Sequence, residues 1–186
     1  MRDFSEKQRG LVEHLRDHAL RTDGPFSLRS GAVTSWYLDA RQTTFDGAGA
    51  LRVADAVLEV LDGRVQAIGG MTMGADPIAV ATAVIAARGG RYLRSFSIRK
   101  EVKSHGAGGR LVGPVRPGDV VAVLEDTTTT GGALLEAIEV AVTSGLEVVQ
   151  AIALVDRSGG IVRERVAAAG VRYQALITPS ELGVAE

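Results

Sequence analysis

The sequence has no cysteine among its 186 residues. Disulfide bonds, thiolate metal sites and a cysteine nucleophile are therefore excluded. It also has no excess of charge of either sign, because 21 basic residues accompany 22 acidic ones. A chain that binds nucleic acid through its overall charge is strongly basic, so we expect no nucleic-acid partner and only local cationic sites.

Long hydrophobic runs are lacking as well. The longest, residues 77–87, is far shorter than the roughly 20 apolar residues that a helix needs to span a bilayer, and residues 1–10 contain no apolar core of a secretion signal. We therefore expect no membrane partner and a cytoplasmic location. With 46% hydrophobic residues, no internal repeat and no linker rich in Pro or Ser, the chain is expected to form a single domain over residues 1–186.

The apolar residues that are present recur with two different periods. Helical spacing predicts helices over 5–21 and 49–61, and the segment between them predicts two short strands around a turn at Gly31. Apolar runs then predict five strands, of which the first four are each followed by a helical or capped segment: 65–70, 92–98, 119–126, 147–156 and 171–178. Strands that alternate with helices predict an α/β fold, with a parallel sheet covered on both faces.

The stretch "VVAVLEDTTTTGGA", residues 120–133, runs from an apolar strand into acids, hydroxyls and glycines. It lacks the lysine and the spacing of a P-loop and the G-x-G-x-x-G of a dinucleotide fold. Hydroxyls and backbone N–H groups at a helix start suit a phosphate, and the carboxylates of Glu125 and Asp126 offer acceptors that suit sugar hydroxyls. An ordinary helix cap needs only one such residue, so the stretch favours a phosphorylated sugar at the carboxyl edge of the sheet.

A second strand-to-helix turn, residues 68–81, is also rich in glycine. It carries Thr72, with Asp76 as the predicted N-cap and Pro77 as the first helical residue. A second anion site and a plain helix cap both explain this turn.

Positive charge concentrates in "RKEVKSHGAGGRLVG", residues 99–113. The high glycine content predicts a mobile loop, and its five basic residues offer donors to phosphate oxygens: Arg99, Lys100, Lys103, His105 and Arg110. Helix ends contribute only about 0.3–1 kcal/mol each, whereas micromolar binding needs roughly 8 kcal/mol. We therefore interpret the segment as a cationic lid over a ligand with several phosphates; a solvated surface loop is the alternative.

Three further residues are candidates for contact with a base or an anion. Trp36 and Tyr37 form an aromatic pair that suits either stacking on a base or the hydrophobic core. Arg157 follows the strand 147–156 at the predicted binding edge, where it is either an anion ligand or a surface arginine.

Taken together, these segments resemble the type I phosphoribosyltransferases, and most closely the orotate enzymes of that family. The stretch 120–133 is similar to the superfamily's binding loop for phosphoribosyl diphosphate, and 99–113 is similar to the catalytic loop of the orotate enzymes. "FSLRSGAVTSWYLDAR", "GGMTMGADPIA" and "LVDR" extend the resemblance over nearly the whole chain. It implies a mainly parallel central sheet flanked by helices, a small hood formed by about residues 1–45 and a flexible catalytic loop at 99–113.

The resemblance also implies a role for each site residue. Glu125 and Asp126 would hold the ribose hydroxyls, Arg157 and Thr129 would hold orotate, and Lys103 would be the leading catalytic cation. Lys100 would reach into the site of a neighbouring subunit, which implies a homodimer, and Mg²⁺ would be carried mainly by substrate oxygens, with no metal site of the protein's own. The 5′-monophosphate would be bound by Thr127, Thr128, Thr129, Thr130, Gly131, Gly132 and Ala133, and the diphosphate by Arg99, Lys100, Lys103 and His105, of which Lys100 and His105 would join Lys103 in catalysis.

The implied reaction transfers phosphoribosyl from phosphoribosyl diphosphate to orotate, giving orotidine monophosphate and diphosphate in pyrimidine synthesis. Two alternatives remain: a phosphoribosyltransferase for another purine or pyrimidine base, and a regulator that binds phosphoribosyl diphosphate without turnover. The chain departs from the family pattern at three positions, where Arg29 and Gly74 replace lysines and Ala32 replaces an arginine found in relatives.

Overall fold

A computed structural model of the chain describes residues 5–27, 31, 33–101 and 109–185. Its helices are α1 (Glu6–His14), α2 (Arg41–Thr44), α3 (Gly47–Val60), α4 (Ala75–Arg88), α5 (Gly132–Thr143) and α6 (Ile161–Ala168). Its strands are β1 (Leu20–Arg21), β2 (Phe26–Ser27), β3 (Val33–Thr34), β4 (Tyr37–Leu38), β5 (Ala67–Met71), β6 (Arg94–Ile98), β7 (Leu111–Val112), β8 (Val120–Thr128), β9 (Glu147–Asp156) and β10 (Arg172–Ile177).

Six of these strands form the main sheet, in the order β10-β9-β8-β5-β6-β7. β5, β6, β8, β9 and β10 are parallel, and only the edge strand β7 is antiparallel to its neighbour β6. The chain proceeds from β5 outward to β6 and later returns to the opposite side of β5 with β8. The order of the strands therefore reverses between β5 and β8, which is the point where open α/β sheets bind ligands.

The sheet separates two buried apolar clusters. One lies between the sheet and the helices α1, α3 and α4, and includes Leu11, Val53, Ile78 and Leu124. The other lies beneath α5 and α6 and includes Leu134 and Val162. Both faces of β8 are thus covered, which explains why its first half reads as a continuous apolar run.

The predicted α/β fold with a mostly parallel sheet is confirmed. The strand predicted at 147–156 is found with those bounds, and the other four central strands are found with shifts of one or two residues at their ends. One expectation was wrong: β6 is followed by the antiparallel β7 and not by a helix, since Ser97 and Ile98 pair with Val112 and Leu111.

The N-terminal part differs in detail from its predicted pattern. The first helix ends at His14 and continues as a π-helical turn, Leu15–Ala19, before β1. β1 pairs with β4, and β2 pairs with β3 on either side of Gly31, where a turn was predicted. Across the described ranges, no helix has both the length and the hydropathy needed to cross a membrane.

The start of α4 also differs from the sequence-based prediction. Gly74 is its N-cap and Asp76 lies within its first turn, so the prediction of Asp76 as the N-cap was wrong. The Asp76 carboxylate instead accepts a hydrogen bond from the Thr72 hydroxyl at 2.6 Å and fixes the turn that leaves β5.

Candidate active site

A cavity of about 330 Å³ opens where the carboxyl ends of β5 and β8 meet. This volume lies at the lower end of the range for small-molecule sites. Four parts of the chain line it: the end of β8 with the start of α5, the turn after β5, residues 37–41, and Lys100. The paired acids predicted to bind a sugar therefore lie at the sheet's topological switch point.

Glu125 and Asp126 are adjacent in β8 but have different surroundings. Glu125 is 7% exposed, and its Oε2 is buried with no hydrogen-bond partner among the described residues. Burial, with the negative charge of Asp126, raises the pKa of Glu125 to about 8, and the positive charge of Lys100 opposes this increase. Asp126 is only partly buried and accepts a hydrogen bond from the Thr127 N–H at 2.7 Å. The site therefore holds the Asp126 carboxylate, which accepts a hydrogen bond, beside a Glu125 carboxylate whose Oε2 lacks a donor among the described residues.

The segment predicted to bind the monophosphate leads into the N-terminus of α5. Gly131 is the N-cap, with φ of 79°, and a Cβ at this position would lie 3.0 Å from Val162, so both the backbone conformation and the space favour glycine. α5 has no side-chain cap, which leaves its first N–H groups for another acceptor.

The four threonines of this segment have unequal environments. Thr128 is still part of β8 and is buried, whereas Thr129 and Thr130 are exposed. Thr127 and Ala133 line the cavity. The Thr130 carbonyl accepts a hydrogen bond from Arg165 of α6, which anchors the turn to the next helix.

The turn after β5 lies opposite Asp126. Thr72, Met73 and Gly74 line the cavity, and the Thr72 N–H bonds the Ile98 carbonyl at 2.8 Å. A Cβ at Gly74 would approach Asp126 Oδ1 to 2.7 Å. The two strand-to-helix turns, predicted separately, therefore belong to one site.

The basic segment contributes described residues at both of its ends. Lys100 lines the cavity of its own chain, whereas Arg99 is partly buried at the end of β6. Arg110 forms an ion pair with Glu136 of α5, and its Nε donates to the Arg99 carbonyl. Arg110 was predicted as one of the segment's donors to phosphate, and its guanidinium is paired here with the half-exposed Glu136. Lys103 and His105, which were predicted to bind the diphosphate, lie outside the described residues, as do Arg29 and Ala32.

Arg157 lies just beyond β9, with its N–H bonded to the Thr128 carbonyl at 2.8 Å. Its guanidinium lies over the Trp36 ring, and Trp36 itself is buried. Burial lowers the pKa of Arg157. Of the predicted aromatic pair, Trp36 thus packs against an arginine in the interior, while Tyr37 lines the cavity.

Sequence reasoning missed two charged residues of the cavity, Asp39 and Arg41. They form an ion pair at 2.7 Å, and the charge of Asp126 contributes to raising the pKa of Arg41 after the larger effect of Asp39. The only signal was their place in the segment 26–41 that carries part of the family resemblance.

The carboxylates of the cavity can be tested for their fit to a divalent ion. Among the described residues there is no group of three or more His, Cys, Asp or Glu that could hold a metal ion. Glu125 and Asp126 bring negative charge to the cavity without forming a complete cage. Such a pair fits Mg²⁺ that is bound by phosphate, ribose and water oxygens.

Comparison with known proteins defines the class of this chain. No protein-family model matches it. The orotate phosphoribosyltransferase of Mycobacterium tuberculosis H37Rv in complex with inorganic phosphate matches with a TM-score of 0.83 and 31% identity, over 97% of this chain and 100% of that one. The same enzyme in complex with 5-phospho-alpha-D-ribosyl 1-diphosphate matches with a TM-score of 0.79 and 29% identity, over 96% and 99%. The fold is thus that of a phosphoribosyltransferase.

A curated relative narrows the class further. The orotate phosphoribosyltransferase of Streptomyces avermitilis is 41% identical over 175 residues, which cover 94% of this chain and 96% of the relative. The chain belongs to the orotate phosphoribosyltransferase family.

Proposed function

We propose that this chain transfers the phosphoribosyl group from phosphoribosyl diphosphate to a ring nitrogen of orotate, releasing diphosphate and orotidine monophosphate for pyrimidine (UMP) synthesis. One observation carries the proposal: Glu125 and Asp126 of β8 line the switch-point cavity, and a short turn after this strand leads into the N-terminus of α5, which has no side-chain cap. Carboxylates followed by free N–H groups match a sugar that bears hydroxyls beside a phosphate.

The proposed roles follow from this arrangement. Glu125 and Asp126 accept hydrogen bonds from the ribose hydroxyls, and the segment from Thr127 to Ala133 receives the monophosphate. Thr129 and Arg157 contact orotate, and Arg157 faces its carboxylate. The leaving diphosphate meets the turn after β5 and the basic loop, with Arg99, Lys100, Lys103 and His105 as its donors.

The chemistry needs no protein nucleophile. Cleavage at the anomeric carbon passes through a state with oxocarbenium character, so the protein accelerates it by stabilising the departing negative charge and by excluding water. We assign the first task chiefly to Lys103, assisted by Lys100 and His105, and the second to the whole loop 99–113. Bound Mg²⁺ supplies further positive charge to the diphosphate.

A homodimer is part of the proposal, with Lys100 acting in the neighbouring subunit's site. Support comes from α4, whose segment Pro77–Ala87 carries no charged residue and whose outward face exposes Val80 and Val84 by 55% and 54%. A helix that is apolar on all sides is normally covered. We also propose a cytoplasmic location.

The direct test is the fall in orotate absorbance when the protein is mixed with orotate, phosphoribosyl diphosphate and Mg²⁺. Hypoxanthine, adenine and uracil replace orotate in parallel reactions, and diphosphate release is measured in each. Turnover of orotate alone supports the proposal. Turnover of another base instead would make the chain a different phosphoribosyltransferase, and binding of phosphoribosyl diphosphate without turnover of any base would make it a sensor.

A further inference from the structure

Arg157 and Trp36 form a stacked pair beside the cavity. The guanidinium carbon of Arg157 lies 4.2 Å from the centre of the Trp36 ring. The backbone of Arg157 is bonded to the end of β8, and Tyr37, the residue after Trp36, lines the cavity. One face of the guanidinium is therefore covered by the indole, close to where the base must bind.

The indole ring and the backbone of Trp36 are each held by a hydrogen bond. Its Nε1 donates to the carbonyl of Ala185 at 3.1 Å, and the Thr34 hydroxyl donates to the Trp36 carbonyl at 3.1 Å. The C-terminal turn is itself tied to the N-terminal region, because Arg16 donates to the carbonyls of Glu181 and Leu182. Trp36 is thus a fixed surface and not a mobile side chain.

Arg157 is left with donors to spare. Its Nε is buried and has no hydrogen-bond partner among the described residues. A guanidinium stacked on a ring keeps its N–H groups free in its own plane, and that planar fork matches a carboxylate. A guanidinium that is partly shielded from water in this way gains from an anionic partner.

We propose that Trp36 is a positioning residue, which holds the guanidinium of Arg157 in the orientation that receives the carboxylate of orotate. The inference rests on the proposed function and deepens it, since it assigns to Trp36 the selection of bases that carry a carboxylate. The indole acts through Arg157 and does not itself contact the base with the face that the guanidinium covers.

The test compares two replacements of Trp36 in the full-length protein. Trp36→Leu keeps apolar volume but removes the aromatic face, and we expect it to raise KM for orotate about ten-fold, with kcat and KM for phosphoribosyl diphosphate within about two-fold. Trp36→Phe restores an aromatic face, so its KM for orotate should return to within about three-fold of the parent value. Tyr92→Leu, a change at an 82% exposed aromatic residue, should leave all three constants unchanged.

A double-mutant cycle separates positioning from general damage. Arg157→Met should raise KM for orotate strongly, and adding Trp36→Leu to it should raise KM no further, because the indole has nothing left to orient. Since Trp36 is the only tryptophan, its fluorescence reports on the pair directly. Binding of orotidine monophosphate should change the emission of the parent protein and not that of Arg157→Met.

Additive effects in the cycle, or failure of Trp36→Phe to restore KM, would overturn the inference. So would equal increases in both KM values for Trp36→Leu. If the parent protein did not turn over orotate at all, the proposed function would be wrong, and the inference about Trp36 would be wrong with it. That result is distinguishable from the others because it concerns the parent protein and not the variants.

Discussion

Arg110 donates from its Nε to the carbonyl oxygen of Arg99 at 2.7 Å and joins the two ends of the basic segment. The Arg99 N–H returns a hydrogen bond to the Arg110 carbonyl at 2.8 Å, and the Arg110 guanidinium also pairs with Glu136 of α5. The base of the proposed lid is therefore fastened to α5, the helix whose N-terminus lies at the proposed monophosphate site. We expect Arg110→Met to lower kcat and to raise KM for phosphoribosyl diphosphate, each at least about three-fold, because it loses a charge-assisted hydrogen bond worth about 1.5–3 kcal/mol.

Glu136→Gln separates the ion pair from the hydrogen bond to Arg99. It removes only a half-exposed partner, so unfolding in urea should show a loss of about 0.2–1 kcal/mol with kinetic constants close to the parent values. Arg88→Met is the control for removal of an exposed arginine. Equal kinetic effects of Arg110→Met and Arg88→Met would contradict a fastening role for Arg110.

Protonation of Glu125 should make substrate binding depend on pH. Its pKa is raised to about 8 in the free protein, chiefly by burial, whereas acceptance of ribose hydroxyls favours the ionised carboxylate. Binding of phosphoribosyl diphosphate near pH 7 should therefore release a proton, and affinity should rise with pH by at most about ten-fold per unit before it levels off above the pKa. Calorimetry in two buffers of different ionisation enthalpy counts the proton. If Glu125→Gln released the same number of protons on binding as the parent protein, Glu125 would not be their source.

The stability of the free protein should also depend on the protonation of Glu125. It should fall with rising pH, whereas the affinity for phosphoribosyl diphosphate should rise. The folded pKa of about 8 exceeds the ordinary value of 4.5, so only the folded state keeps the proton between these two pH values. The free energy of unfolding therefore falls as pH rises through this range and has lost the whole contribution above about pH 8. Glu125→Gln should melt at a higher temperature than the parent near pH 8.5 and at a similar one near pH 4.5. Glu139→Gln, at an exposed position of α5, is the matched control and should show no such divergence.

Gly74 leaves room for the carboxylate of Asp126. A Cβ at this position would meet Asp126 Oδ1 at 2.7 Å, although the φ of −60° and ψ of −44° suit any residue. Gly74→Ala should thus leave folding intact but displace the carboxylate of Asp126. The binding of phosphoribosyl diphosphate, measured at equilibrium, should become weaker by about 1–3 kcal/mol, because that is the cost of losing a polar partner. At Gly47 the space is open, so Gly47→Ala is the control. Unchanged binding by Gly74→Ala would show that Asp126 is not needed in its present position.

The sequence was most informative where one local pattern decided the structure. β9 was predicted with its final bounds because its ten residues are mostly apolar and consecutive, and the last seven of them are buried. The end of β8 was predicted two residues early, since Thr127 and Thr128 indicate a loop by composition. They remain in the strand because they pair with Val155 and Asp156 of β9, a contact between segments that no local pattern encodes.

The same distinction applies to the site. Glu125 and Asp126 were found because acids that end an apolar strand are conspicuous in sequence. Asp39 and Arg41 were missed because they reach the cavity only through the packing of residues 37–41 against the sheet. The pairing of Arg110 with Glu136 could not be predicted from local patterns, because it joins residues 26 positions apart.

The subunit in which Lys100 acts can be decided by mixing two inactive variants. Lys100 lines its own chain's cavity in the monomer, yet we propose that it serves the partner's site in a dimer. Lys100→Ala should lack the cation of the loop but keep the Asp126 carboxylate in its cavity, whereas Asp126→Ala should keep the cation and lack the carboxylate.

In a mixed dimer, the loop of the Asp126→Ala subunit then completes the site of the Lys100→Ala subunit. If subunits exchange freely at equal amounts, half of the dimers are mixed and each has one complete site, so activity should return to about one quarter of the parent value. Recovery should follow the rate of subunit exchange, and a mixture that stays inactive after exchange would place Lys100 in the site of its own chain.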